Sequence, residues 1–125
     1  MRWDEADLAA DGSWGNVPDQ RDVQAIQNLI QSYAFRSDAG HAAGLASMFT
    51  PDAVWDGREH GYGLAEGPDA IAENVVRHFD PDRPMMHMPG PAVLAAVADD
   101  EVRAVCWCLA TRWADGRTSA FIHFY

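Results

Sequence analysis

The chain has 125 residues, the length of one domain that buries a single apolar core. Its 19 acidic and 9 basic residues give a formal net charge of −10, which disfavours binding to nucleic acid and to anionic membrane surfaces. No apolar run approaches the roughly 18 residues of a membrane span, and the acidic N-terminus lacks the basic and apolar regions of a signal peptide. We therefore expect a soluble, cytoplasmic protein.

The first 18 residues contain scattered glycines and two isolated tryptophans, which is typical of an N-terminal arm. The domain is then expected to occupy residues 19–125. Apolar residues recur at helical spacing between Val23 and Tyr33, and Asp19 is suited to cap this helix. The helix should end near Asp38, because an Ala-Gly pair follows it.

Two more helices are predicted before the character of the sequence changes. The segment "HAAGLASMF" has helical spacing and stops before Pro51, and "PDAIAENVVRHF" begins with Pro68, a residue favoured in the first helical turn. Between them, "AVWDGR" predicts a short strand and "GYGLAEG" a loop.

The rest of the chain reads as β-structure. Strands are predicted from about Met86 to Ala98, from about Val102 to Trp113 and from Arg117 to Tyr125, joined by an acidic turn and an Ala-Asp-Gly turn. Three consecutive antiparallel strands would form a meander that buries its apolar face against the helices. The fold class is therefore α+β, and a ligand would occupy the concave space between helices and sheet.

The polar motifs argue against several kinds of site. Cys106 and Cys108 are two residues apart, so on a strand both thiols point to one face and are expected to stay reduced. The histidines show no spacing typical of a metal site, and the chain has neither a glycine-rich phosphate loop nor a serine-hydrolase motif. We expect no metal and no cofactor.

Three segments, "YAFRSDAGHAAGLASMFTPDAVWDG", "GPDAIAENV" and "MMHMPGP", resemble the SnoaL-like branch of the nuclear transport factor 2-like superfamily. The resemblance spans roughly residues 22–125. Within that superfamily the sequence is most similar to the lyases, namely scytalone dehydratase, bile-acid dehydratase and hexachlorocyclohexane dehydrochlorinase. It implies a cone of curved antiparallel sheet closed by three N-terminal helices. Relatives continue into a further strand beyond the position of Tyr125, so we expect either that the last strand is missing or that the sequence is a fragment.

The resemblance also implies a catalytic dyad. An Asp just after the first helix and a His at the start of the first long strand fall on Asp38 and His87, and a Tyr five positions before the Asp falls on Tyr33. A histidine can take up a proton near neutral pH, and an adjacent carboxylate orients its ring. Without the resemblance, all three have ordinary structural interpretations: a strand-start histidine bound to a backbone carbonyl, a turn residue and a buried phenol.

An adaptable apolar wall for a steroid-like or aromatic substrate is predicted from methionine and aromatic residues, although such residues are more often plain core. Strand alternation separates Cys106, Cys108 and Ala110 from their neighbours but does not say which face lines the pocket. The predicted substrate-binding residues are Met48, Trp55, Met86, Met88, Trp107 and Phe121.

The leading functional hypothesis is a cofactor-independent lyase acting on a small hydrophobic molecule. One alternative is an isomerase, cyclase or epoxide hydrolase on the same fold. Another is a non-catalytic ligand-binding or interaction domain, favoured because scytalone dehydratase has polar residues where this chain has Ala110 and Phe121. The resemblance further implies a homo-oligomer, a trimer rather than a dimer.

Overall fold

The structure is a computed structural model that describes residues 18–124, without the side chains of residues 59, 121, 123 and 124. The predicted arm lies outside the described residues except for Pro18, which is buried. The helices are α1 (Gln20–Asp38), α2 (Ala42–Ala46) and α3 (Pro68–Val76). The strands are β1 (Val54–Asp56), β2 (Leu64–Glu66), β3 (Met85–Pro89), β4 (Val93–Ala98), β5 (Glu101–Val105), β6 (Trp107–Ala114) and β7 (Arg117–Phe124).

The three predicted helices are confirmed, and their ends have clear causes. The Asp19 side chain accepts hydrogen bonds from the backbone N–H groups of Arg21 and Asp22, which caps α1 as predicted. Pro68 stands in the first turn of α3, where its missing N–H costs nothing. After α1 the chain reverses through Gly40, whose φ of 63° favours glycine.

The segment predicted as a loop after β1 contains a strand, so that prediction is wrong. β2 pairs antiparallel with β1, with Trp55 opposite Ala65. The two strands are joined by a single 3-10 turn and two glycines of positive φ, Gly61 and Gly63. A three-residue strand between glycines carries too little alternation to be recognised from sequence.

The predicted meander exists, but its first two strands are each broken. The segment from residue 85 is split into β3 and β4 at Gly90 and Pro91, and its partner is split into β5 and β6 at Cys106. β4 pairs with β5, while β3 pairs with β6 and β6 with β7, all antiparallel. Both breaks fall at the same level of the hairpin, where Gly90 donates to the carbonyl of Trp107.

The last hairpin turns through Asp115 and Gly116, which both have positive φ as a two-residue primed turn requires. The deepest side chains of the core are Leu45 of α2, Ile71 of α3 and Cys108 of β6. The core therefore lies between the helices and one face of the three-stranded sheet. No helix in residues 18–124 is long and apolar enough to cross a membrane.

Candidate active site

His87 and Asp38 are in direct contact at the end of α1. The ring Nδ1 of His87 lies 2.6 Å from one carboxylate oxygen of Asp38, and the backbone N–H of His87 donates to the other oxygen at 2.7 Å. The two side chains are only 12% and 20% exposed. Because an ionised carboxylate can only accept, Nδ1 carries the proton in this contact, and the neutral ring then has its lone pair on Nε2.

The contact follows from the position of β3 at the edge of its sheet. Backbone bonds to β6 are made at both ends of β3, where Trp113 donates to Pro84 and Gly90 to Trp107. Antiparallel pairing alternates, so His87, opposite Ala110, directs its N–H away from β6. The outward edge of β3 therefore needs partners from outside the sheet.

Side chains of α1 supply those partners. Asp38 accepts from His87, and the Gln31 amide donates to the carbonyl of Pro89 at 3.2 Å. One turn earlier, Gln27 donates to the carbonyl of Ala92 at 3.4 Å. These three contacts fix α1 antiparallel along β3, so Asp38 reaches His87 by the register of helix against strand.

Tyr33 lies beside the dyad and is held by Trp55. The indole N–H of Trp55 donates to the Tyr33 hydroxyl at 2.9 Å, and Phe49 packs edge-on to the phenol ring. Burial raises the pKa of the Tyr33 phenol, the hydrogen bond from Trp55 lowers it, and nearby Cys108 and Asp38 raise it. The phenol therefore stays protonated at neutral pH and can act as a hydrogen-bond donor.

The sheet face that carries His87 is lined by small side chains. Ala110, the cross-strand partner of His87, and Cys108 are fully buried, and Cys106 is nearly so. Both cysteines are free thiols, as predicted, and burial raises the pKa of Cys106. Burial disfavours the thiolate, so Cys106 is a poor nucleophile.

Three predicted pocket residues lie on the face of the sheet opposite to His87. Met86, Met88 and Trp107 are 53%, 39% and 59% exposed, because strand alternation places them on the face of the sheet opposite to His87. The predicted pocket residues come from both faces of the sheet. Because His87 faces inward, its neighbours Met86 and Met88 on β3 must face outward.

The other three predicted pocket residues have different outcomes. Trp55 is partly buried and contacts Tyr33. Met48 is partly buried just after α2. Phe121 pairs with Ala110 in the β6–β7 ladder, and its side chain lies outside the described part of the structure.

The bond between Trp55 and Tyr33 was not predicted. The two residues are 22 positions apart, and nothing in their spacing indicates a contact. The only available signal is that a buried tyrosine and a buried tryptophan each need a polar partner.

Within residues 18–124, no group of three or more potential metal ligands lies together.

Comparison with protein families gives one match, to the model described as the SnoaL-like domain, over residues 19–124. The chain belongs to the SnoaL-like family. This confirms the resemblance inferred from the sequence, and the α+β architecture with its antiparallel strands agrees with it. A comparison with curated proteins finds no significant match.

Solved structures share this SnoaL-like fold at low identity. A Novosphingobium aromaticivorans protein suggested to be an aromatic ring hydroxylase has a TM-score of 0.76 at 22% identity, covering 87% of this chain and 78% of that one. The hexachlorocyclohexane dehydrochlorinase LinA-type3 of Novosphingobium barchaimii LL02 has a TM-score of 0.58 at 20% identity, covering 84% and 89%. A Novosphingobium aromaticivorans protein suggested to be a scytalone dehydratase has a TM-score of 0.64 at 18% identity, covering 83% and 68%. At these identities the likeness establishes the fold alone.

Proposed function

We propose that this SnoaL-like protein is a cofactor-independent lyase that eliminates water or a halide from a small hydrophobic substrate. The observation that carries the proposal is the contact between Asp38 and His87, in which both carboxylate oxygens of Asp38 are used. Structural neighbours whose names include a dehydrochlorinase and a dehydratase support this reaction class.

In the proposed reaction, His87 is the general base. Asp38 holds the Nδ1 proton, so Nε2 takes a proton from the carbon next to an electron-withdrawing group such as a carbonyl. The C–H electron pair becomes the new C=C bond, and the C–O or C–halogen bond breaks with its electron pair on the leaving group. The net change is loss of water or of hydrogen halide. Asp38 also stabilises the imidazolium that forms.

Tyr33 is the proposed donor to the developing or departing oxygen. Its raised pKa keeps the phenol protonated, and Trp55 fixes the oxygen without using the phenolic hydrogen, because an indole N–H can only donate. The effects of Asp38 and Cys108 on the Tyr33 phenol indicate that it lies near the carboxylate and the inward face of β6.

A panel of β-hydroxy and β-halo carbonyl compounds tests the proposal, with the conjugated product followed by its ultraviolet absorbance. His87→Ala and Asp38→Asn should each lower turnover by about 10²–10⁴-fold, the range for loss of a positioned general base. His60→Ala, a change at an exposed histidine of the 3-10 turn, is the control and should leave turnover unchanged. Turnover that survives in both dyad variants would remove the dyad from the mechanism and favour the non-catalytic alternative.

We also propose that the protein is a homo-oligomer whose copies meet at the outward face of the three-stranded sheet. That face carries six large apolar side chains that are 38% to 64% exposed, on Met86, Met88, Trp107, Leu109, Trp113 and Ile122. If roughly 200 Å², the value for an aromatic side chain, is taken as the upper bound for all six, half exposure presents at most about 600 Å². This approaches the roughly 800 Å² that each partner contributes to a stable interface, and a monomer rarely exposes such an area.

Sedimentation velocity tests the oligomer, for which the family resemblance favours three copies over two. Trp113→Glu should shift the protein to the monomer, because a charge would be buried in the interface. Val54→Glu is the control: it places the same charge at an exposed valine of β1 and should leave the oligomer intact. A monomeric wild type at micromolar concentration would overturn the proposal.

A further inference from the structure

A second candidate site adjoins the dyad, where a cleft of about 360 Å³ opens between the end of α3 and the start of β3. It is lined by Arg77, His78, Phe79, Asp80, Pro81, Arg83 and Arg112. Three of the nine basic residues of the chain are therefore gathered in one cleft, although the protein as a whole carries a net charge of −10. Positive charge at one concave place on an acidic protein favours an anionic ligand.

The arginines of this cationic cleft are weakly engaged. Arg77 pairs with Glu73 at 3.8 Å and Arg83 with Asp80 at 3.9 Å, both between well-exposed side chains. Exposed pairs of this kind contribute little to stability, so an incoming anion can compete with them.

Arg112 is the most distinctive of the three. Its guanidinium contacts the sulfur of Met85 at 3.8 Å, and among residues 18–124 no carboxylate lies within ion-pair distance of it. It is partly buried on the inward-facing side of β6. Burial and the positive charges of Arg77 and Arg112 lower the pKa of His78, which is therefore neutral at pH 7.

The cleft lies close to the dyad along the inward face of β6. Arg112 is two residues along β6 from Ala110, the cross-strand partner of His87, so it lies on the same face about 7 Å further along the strand. On the other side of the cleft, the ring of Phe79 packs against Gly40, two residues after Asp38.

Ring contacts also connect the cleft to the proposed donor. His78 lies 4.6 Å from the ring centre of Tyr62, and Tyr62 lies 6.3 Å from that of Trp55, which holds the Tyr33 hydroxyl. The cleft and the proposed donor are therefore linked by one row of contacting rings.

We propose that the cationic cleft binds an anionic oxygen group, a carboxylate or a phosphate ester, at one end of an otherwise apolar substrate, with Arg112 as its main contact. This inference rests on the proposed function for the other end of the substrate. It assigns the substrate class to small apolar anions and makes Arg112 a specificity-determining residue, because the guanidinium fork matches both kinds of anionic oxygen group.

Binding can be measured without turnover by calorimetric titration with 2-naphthoate, 2-naphthyl phosphate, the uncharged 2-naphthamide and inorganic phosphate alone. At least one naphthyl anion should bind about tenfold or more tightly than the amide, and the better of the two identifies the anionic group. Arg112→Gln should abolish the difference. Arg83→Gln, a change at an exposed side chain, should reduce it even if Arg112→Gln folds poorly.

Arg21→Gln is the matched control. Arg21 is exposed in the first turn of α1, about 25 Å along the helix axis from Asp38, and its loss should change nothing. Equal binding of amide and anions by the wild type would overturn the inference. So would anion preference retained in Arg112→Gln, or inorganic phosphate binding as tightly as the naphthyl anions.

The two proposals fail separately. His87→Ala should keep the preference for the anion while losing elimination. If the preference is absent but elimination proceeds, the cleft proposal alone is wrong. If the preference is present but no β-substituted acid is turned over, the lyase proposal alone is wrong.

Discussion

Asp38→Ala should destabilise the fold far more than an ordinary change at a turn residue. The substitution removes two hydrogen bonds at 2.6 and 2.7 Å and leaves the backbone N–H of His87 without its acceptor. Hydrogen bonds to a charged group contribute about 1.5–3 kcal/mol each. Since the Asp38 side chain is 20% exposed, water can replace part of the loss. We expect unfolding to become easier by about 3–4 kcal/mol.

Thermal and urea denaturation measure this change. For a domain of this size, each kcal/mol corresponds to roughly 4 °C, so the midpoint should fall by about 12–16 °C. Asp22→Ala is the control, because Asp22 is an exposed acidic residue in the first turn of the same helix and its loss should cost about 0.3–1 kcal/mol. If Asp38→Ala costs less than about 1 kcal/mol, the carboxylate does not secure the edge of β3 as the hydrogen bonds imply.

Asp38→Asn separates structure from ring orientation. The amide oxygen can still accept from the backbone N–H of His87, but the amide nitrogen then faces Nδ1 and donates to it. The stability loss should shrink to about 1–2 kcal/mol while the ring changes tautomer and carries its proton on Nε2. Nitrogen NMR of the imidazole reads the tautomer directly, and an unchanged tautomer would refute the assignment of the Nδ1 proton to this contact.

Three further changes test other parts of the site. Burial raises the pKa of the Tyr33 phenol, so above pH 10 unfolding releases a proton and stability should fall with rising pH; Tyr33→Phe should remove that part of the fall in melting experiments across pH 9–11.5. Gly40→Ala should lower the free energy of unfolding by about 2–4 kcal/mol, because the φ of Gly40 is positive and the new methyl group meets the Phe79 ring. Gly61→Ala also has a positive φ but lies in open space, so it should cost only about 1 kcal/mol. Equal losses would contradict the close packing of Gly40 against Phe79. Ala110→Leu should cost about 1–3 kcal/mol by overfilling the space opposite His87, unlike the exposed Ala120→Leu, and a neutral result would mean that the space is larger than the burial indicates.

The helices and the antiparallel strands could be predicted from the sequence, because each depends on local signals. Asp19, Pro68 and the Asp115-Gly116 turn act within a few residues of their own positions. The breaks in the long strands were not predicted, because they depend on contacts between distant parts of the chain. A run of apolar residues reads the same whether the strand is straight or bent.

The candidate site was predicted in part, and the pattern of success has a physical reason. The resemblance supplied Asp38, His87 and Tyr33, and the structure brings the first two together. Met86 and Met88 are predicted for the pocket on composition, and alternation places both on the face of β3 opposite to His87. The cationic cleft could not be predicted from the sequence, because Arg77, Arg83 and Arg112 are spread over 36 positions and come together only in the fold.

The arrangement around β3 links the stability of the fold to the proposed chemistry. At Pro89 the alternation of the ladder directs the backbone nitrogen to the outward edge of β3. Because proline has no N–H, no donor is left unsatisfied there. His87 does have an outward N–H, and the carboxylate that satisfies it also holds the ring. The Asp38 carboxylate is therefore fixed before any substrate binds, and the orientation of the base requires no additional ordering during the reaction. A substitution that removes both contacts, such as Asp38→Ala, frees the ring and releases the edge of the strand, so activity and stability should fall together there, whereas Asp38→Asn should lower activity more than stability.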